Sequence, residues 1–232
     1  MKTIIVATDF SAEADNAMLY AATAVSGKGY KLVLYNLYNT SIHALNARVS
    51  ADEIDKILLS KKKKLAEVAS LVSEVYHTET IPHLASGNFY EELVKCIELY
   101  NADMVVMGMA ERSLEQDLLG NTTTAVINML KFPVLSIPLG SEYKGSHHIL
   151  FACDVVRGVH EKVLERVRSV AADFNASVEV FHVREKLEEI AESGEHNEAF
   201  DSKLSEVENT YKKVESSEII KAIRGNPNSM WR

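Results

Sequence analysis

The stretch Ile4-Ile5-Val6-Ala7-Thr8-Asp9-Phe10-Ser11 decides the fold. Ile4 to Ala7 is an unbroken apolar run without polar alternation, the pattern of a strand buried on both faces. Asp9 and Ser11 then turn the chain. Ser11 is placed to cap an Ala-, Leu- and Tyr-rich helix that runs to Val25 and is stopped by Gly27 and Gly29. Lys31 to Leu37 reads as a second strand of the same apolar kind. A strand, a helix and a second strand in about 35 residues make a parallel β-α-β unit.

Downstream the alternation continues. After a loop to about Val49, the spacing predicts a long amphipathic helix from Ser50 to Tyr76, a strand from Thr78 to Leu84 and a helix from Asn88 to Tyr100. Met104 to Gly108 is another buried strand. A loop from Met109 to Gly120, a short helix from Thr122 to Leu130 and a strand from Val134 to Ile137 follow. These elements predict an α/β fold, a doubly wound parallel sheet of five strands, within residues 1–140.

The remainder repeats the opening. Ile149-Leu150-Phe151-Ala152-Cys153-Asp154 parallels Ile4 to Asp9 at an offset of 145, and Asn175 to Val183 parallels Gly29 to Leu37 at an offset of 146. Glu161 to Phe174 fills the first helix slot, the acidic stretch Glu185 to Asn209 the long-helix slot, and Tyr211 to Glu215 the third strand. The expected organisation is therefore tandem: a complete domain at 1–140, a linker from Leu139 to His147, and a second, C-terminally incomplete repeat at 148–232. A chain of 232 residues divided by a typical 150 per domain gives about one and a half, which agrees. With strands four and five missing from the repeat, Ile149 to Cys153 becomes an apolar sheet edge, expected to be covered by the first repeat or by a second chain.

Charge narrows the function classes. The 33 acidic residues outnumber the 25 basic ones, so nucleic acid and anionic membrane are poor partners. The one basic run, Lys61 to Lys64, lies among apolar residues at helical spacing (Ile54, Ile57, Leu58, Leu65, Val68, Val72) and reads as solvated charge on a helix face, its stems partly covering apolar surface. Cys96 and Cys153 form no disulfide framework or metal motif, and the start of the chain is too soon charged for a signal peptide. A cytoplasmic protein is expected. The eight histidines are scattered, no Walker loop occurs, and no catalytic residues and no metal are assigned.

In open parallel sheets ligands bind beyond the carboxyl ends of the strands, where the strand order switches. Asp9, Met107-Gly108 and Gly120-Asn121-Thr122-Thr123 fall there. Asp9 can accept from a ribose hydroxyl or an adenine amine; equally it can be a turn residue or a cap. Gly108 allows close approach of the backbone to a ligand, and the polar residues at 121–123 open a helix that is either a phosphate site or an ordinary capped start.

These residues carry a resemblance. Ile5-Val6-Ala7-Thr8-Asp9-Phe10-Ser11, Ala102 to Gly108, Gly120 to Thr123, Val126-Ile127 and Phe132 to Pro138 together resemble the universal stress protein family over nearly the whole first repeat. The resemblance implies an adenine-nucleotide alpha-hydrolase-like sheet with strand order 3-2-1-4-5, and a stress-response module rather than an enzyme. It also implies a homodimer through Val134 to Ile137 and an adenine nucleotide, ATP or AMP, as ligand. Asp9 meets the adenosine, and the backbone around Ala7 and Leu37 borders the base. The family's phosphate loop is matched at Gly108 and Gly120, but Glu111 stands in place of its second glycine and Asn121 in place of its hydroxyl residue, with Thr122 and Thr123 keeping hydroxyls next door. A carboxylate about 5 Å from a phosphate charge costs roughly 3 kcal/mol at an effective dielectric near 20, about a hundredfold in affinity. Glu111 therefore weakens the phosphate end, ATP more than AMP. The alternative is a nucleotide-free dimerisation scaffold of the same fold. Asp154 is kept in the second repeat, but Val155, Val156 and Arg157 follow it and no phosphate loop does, so that repeat is expected not to bind.

Overall fold

A computed structural model describes residues 2–38, 51–109, 126–127, 129–130, 132–145, 148–153, 159–184 and 209–215, with the backbone alone described at 51–52, 181–184 and 209–215. The chain divides into two compact units, Met1–Tyr143 and Lys144–Arg232.

The first unit runs β1 (Thr3–Ala7), α1 (Ala12–Val25), β2 (Lys31–Tyr38), α2 (Ala51–Tyr76), β3 (Glu79–Ser86), α3 (Phe89–Tyr100), β4 (Met104–Met109) and β5 (Val134–Pro138). Its five strands are all parallel, in the order β3-β2-β1-β4-β5. The predicted fold and strand order are both present. The β3 strand sits later than expected, at Glu79–Ser86, because it pairs along the full length of β2 from Lys31↔Glu79 to Tyr38↔Ser86. Pro82 breaks the apolar pattern there and lies exposed on what is an edge strand, where a missing N–H costs the ladder little.

Alternation along each buried strand sorts the core into two layers. Ile4, Val6, Leu32, Leu34, Val106 and Ile137 face one way, onto Ala17, Met18, Ala21 and Val25 of α1 and Leu65, Ala69 and Val72 of α2. Ile5, Ala7, Val33, Tyr35, Val105 and Met107 face the other way, onto Leu93 and Cys96 of α3 and onto Val126 and Leu130. The alanines of α1 let its backbone approach the sheet, and every residue of β1 is buried. Each fully buried Val, Leu or Ile contributes about 1.5–3 kcal/mol, so this double layer dominates the unit's stability. Of the short helix expected at 122–130, Val126, Ile127 and Met129 are helical; the rest of it lies outside the described residues.

The second unit contains β6 (His148–Cys153), α4 (Glu161–Phe174), β7 (Ser177–Arg184) and β8 (Asn209–Glu215). Its strands form a parallel three-stranded sheet in the order β6-β7-β8. Leu164 and Ala171 of α4 pack on Val178 and Val180, with Ile149, Phe151 and Cys153 partly buried against them. The strand expected at Tyr211–Glu215 begins earlier, at Asn209, because the ladder with β7 starts at Val178↔Asn209. Of the long-helix slot expected over Glu185–Asn209, Asn209 belongs to β8 and the rest lies outside the described residues.

Candidate functional site

The strand order β2-β1-β4 means that the chain leaves β1 in one direction and returns for β4 on its other side. A crevice is therefore expected between the carboxyl ends of β1 and β4. Its described walls are the β1–α1 turn and the end of β4.

The turn is built from short polar contacts. Thr8 Oγ1 accepts the Phe10 N–H at 3.0 Å, and Asp9 Oδ1 accepts the Ser11 N–H at 2.9 Å. Ser11 then caps α1 by accepting the Ala14 N–H. Two successive side-chain turns of this kind hold Phe10 at φ 66°, the left-handed region that bulky residues avoid at a cost of about 1–2 kcal/mol. The Phe10 ring packs on the α1–α2 core layer, and the Lys64 ammonium lies 4.0 Å from its centroid. Asp9 is left exposed at the tip. Partial burial pushes its carboxyl pKa up, but hydrogen bonds from the Ser11 hydroxyl, the Ser11 amide and its own amide outweigh this and hold it below the ordinary value. It is a carboxylate at neutral pH, oriented rather than free.

Register places the other predicted residues. Ala7 pairs with Tyr35, Val6 with Val106 and Met107 with Ser136. His83, Tyr35, Ala7, Met107 and Ser136 thus form one row across the sheet on the α3 side. Leu37 lies two residues beyond Tyr35, half-buried at the end of β2. The structure brings Ala7, Asp9, Leu37, Met107 and Gly108 to one sheet end. Glu111, Gly120, Asn121, Thr122 and Thr123 lie outside the described residues.

Gly108 has a packing reason of its own. A Cβ added there runs into the Glu13 carbonyl and stands 2.8 Å from the Ala14 amide nitrogen. The first turn of α1 presses directly on β4, so glycine at 108 is required by helix-on-sheet contact whether or not a ligand approaches.

Two polar groups here were not singled out from the sequence. Asn36 is 3% exposed; its Nδ2 donates to the Thr8 carbonyl at 2.6 Å, and its Oδ1 has no hydrogen-bond partner among the described residues. Ser136 Oγ, opposite Met107, is likewise buried without one. Each interrupts an apolar run, Leu32 to Leu37 and Val134 to Ile137, and that interruption was the available signal.

The lysine run divides by helix face. Lys63 pairs loosely with Glu67 at 3.8 Å and, with Lys62, faces solvent as expected. Lys64, also exposed, and Lys61, half-buried, lay their ammonium groups over Phe10 and, at 5.8 Å, over Tyr38. Positions three apart share a helix face, so Lys61 and Lys64 lie on the same side of α2.

At the β2–β3 side, Tyr35 stacks on His83 with centroids 5.9 Å apart and donates its hydroxyl to the Phe89 carbonyl. Burial pushes the Tyr35 hydroxyl well up, with nearby Cys96 and Glu92 adding to it, and pushes the Cys96 thiol up to about 12, so that thiol is unreactive. Burial lowers the His83 pKa against the pull of Glu92. Among the described residues, no group of three or more His, Cys, Asp or Glu side chains could hold a metal ion, and no helix is long and apolar enough to cross a membrane.

One solved structure agrees with this architecture. A universal stress protein from Archaeoglobus fulgidus is similar over 96% of this chain and 80% of its own, with a TM-score of 0.69 and 16% identity. A universal stress protein family member from Arabidopsis thaliana, solved with AMP bound, is 15% identical over 61% of this chain and 94% of its own, TM-score 0.43. A universal stress protein solved in complex with cAMP is 19% identical over 60% of this chain and 98% of its own, TM-score 0.43. No curated protein sequence matches the chain. Residues 1–138 match the sequence profile of the universal stress protein family, more than half of the chain, and with the strand order and the β1–α1 turn already described the chain belongs to that family.

Proposed function

We propose that the first unit is a stress-response binding module, not an enzyme, that holds an adenine nucleotide at the carboxyl ends of β1 and β4. The carrying observation is Asp9: an exposed carboxylate, kept ionised and oriented by Ser11, standing where the strand order switches. It can accept two hydrogen bonds from a ribose diol or one from an adenine amine. The small side chain of Ala7, with Leu37 and Met107 beside it, supports an apolar seat for a base. Residues 1–140 and 148–232 act as separate domains in this reading, in a cytoplasmic protein.

Calorimetric titration with adenosine, AMP, ADP and ATP tests it. Adenosine and AMP should bind, ATP less well because of Glu111, and Asp9→Ala should cost at least about tenfold. Glu111→Gly should return ATP affinity by up to about a hundredfold. No heat with any of the four, in the natural chain and in Glu111→Gly, overturns the reading.

A second reading, a nucleotide-free dimerisation scaffold, is favoured by one observation. Large apolar side chains stay exposed around edge strand β5: Ile127, Met129, Leu135 and Leu139. A homodimer pairing through Val134–Ile137 covers part of them. Both readings accommodate this dimer, and light scattering of Leu135→Lys tests it: the dimer should dissociate.

A further inference from the structure

Glu111 puts a carboxylate in the loop after β4, so a phosphate gains from cations that lie on other elements. The chain carries a net charge of −8, which makes cations without an ion pair near the carboxyl end of the sheet informative. Lys61 and Lys64 are two. Neither forms an ion pair among the described residues, whereas Lys63, on the other side of the same helix, takes Glu67. Both reach the carboxyl end of the sheet: Lys61 over Tyr38, the last residue of β2, and Lys64 over Phe10. Phe10 adjoins Asp9, and its left-handed backbone accompanies a ring packed on the α1–α2 layer, beneath Lys64. A ring contact of this kind is weak at an exposed site and leaves the ammonium able to take a further partner. A phosphate offers such an ammonium a stronger, charge-assisted partner.

We infer that Lys61 and Lys64 bind the phosphate of the nucleotide whose nucleoside end meets Asp9, so that the phosphate leaves toward α2 instead of toward the loop after β4. This rests on the adenine-nucleotide reading above. The ligand class that follows is a nucleoside monophosphate or another short phosphomonoester of a nucleoside. A triphosphate gains less, because two lysines three residues apart span a single phosphate group.

Titration at low ionic strength with adenosine and with AMP decides it. AMP should bind about tenfold more tightly than adenosine, and added salt should reduce that advantage. Lys61→Gln/Lys64→Gln should bring AMP down to the adenosine level while leaving adenosine itself unchanged. Lys62→Gln/Lys63→Gln removes the same formal charge from the opposite face and should leave the advantage intact. All four positions are on the helix surface, and far-UV circular dichroism with melting curves checks that each variant folds. Equal affinities for adenosine and AMP, an advantage that survives Lys61→Gln/Lys64→Gln, or an equal loss in Lys62→Gln/Lys63→Gln overturns the inference while the adenosine-binding reading stands. If adenosine and AMP both fail to bind, the two fall together.

Discussion

The β1-α1-β2 segment and the β6-α4-β7 segment are built on one pattern and live in different surroundings. Both are parallel, and their sequences align at an offset of 145 to 146. Gly29 and Asn175 occupy matching positions before the second strand, and both are left-handed, at φ 70° and 50°. Yet β1 is buried at every residue while β6 is nowhere fully buried. The difference is the neighbour. Strand β1 is clasped between β2 and β4, whereas β6, among the described residues, pairs with β7 alone. Local sequence sets the unit's hand and connectivity; the number of flanking strands sets how much apolar surface it buries.

The edges sharpen the point. The β3 edge carries Glu79 and Pro82, β5 ends in Pro138, and β8 carries Lys212 and Lys213. Strand β6, His148–Cys153, has neither charged Lys or Glu nor proline, the composition of a strand meant for the interior.

Gly108→Ala breaks the contrast most strongly. The new methyl group meets the backbone of Glu13 and Ala14, so β4 and α1 cannot keep their contact. Destabilisation of about 3 kcal/mol is expected, at the upper end for overpacking because the obstacle is backbone. Urea unfolding measures it, and hydrogen exchange at Ile5 and Val6 should rise as β1 approaches the condition of β6. Unchanged stability would mean that β4 and α1 adjust freely.

Asn101→Ala and Asn175→Ala sharpen the contrast. Asn101 ends α3 and Asn175 ends α4, both left-handed, and in both the next alanine donates its N–H back into the helix, to Ile97 and Ala171. Replacing an Asn that tolerates this region by Ala should cost about 1 kcal/mol in each unit. Glycine at either position should restore it. Equal costs place the difference between the units in their sheets; unequal costs, in residue-resolved exchange, place part of it in the helix ends.

The smallest expected effect is pH dependence. Burial lowers the His83 pKa, so the folded chain favours the neutral ring. Stability from this site is present above the unfolded pKa of about 6.5 and is lost as pH falls through the lower folded value, since the unfolded chain takes up the proton first. The melting temperature should fall slightly as pH drops below about 6.5, and His83→Phe, keeping the stack on Tyr35, should remove that fall.

Much of the fold was legible. Apolar runs at Ile4–Ala7, Leu32–Tyr35 and Met104–Met107, each followed by turn or helix signals, read as strands buried on both faces, and Ser11 is the cap of α1 as its position predicts. Strand ends were less so: β3 and β8 are set by how far the neighbouring strand extends its ladder, a property of the partner. Of the site, Asp9, Met107 and Gly108 were legible because they lie at or just beyond the ends of buried strands, while Ala7 and Leu37 came from the family resemblance. The partition of the lysine run was not, since it depends on where α2 crosses the sheet.

The sequence by itself determined that β-α-β units would alternate and that Asp9 would stand just beyond a strand end. Periodicity and capping act within a few residues, and those statements need nothing more. Only the tertiary structure decided that Gly108 makes room for α1, that Phe10 is held left-handed, that Asn36 and Ser136 carry buried oxygens without a partner among the described residues, and that Lys61 and Lys64 lie over aromatic rings. Each of these depends on a partner distant in sequence, and a partner's position is fixed only when the layers pack.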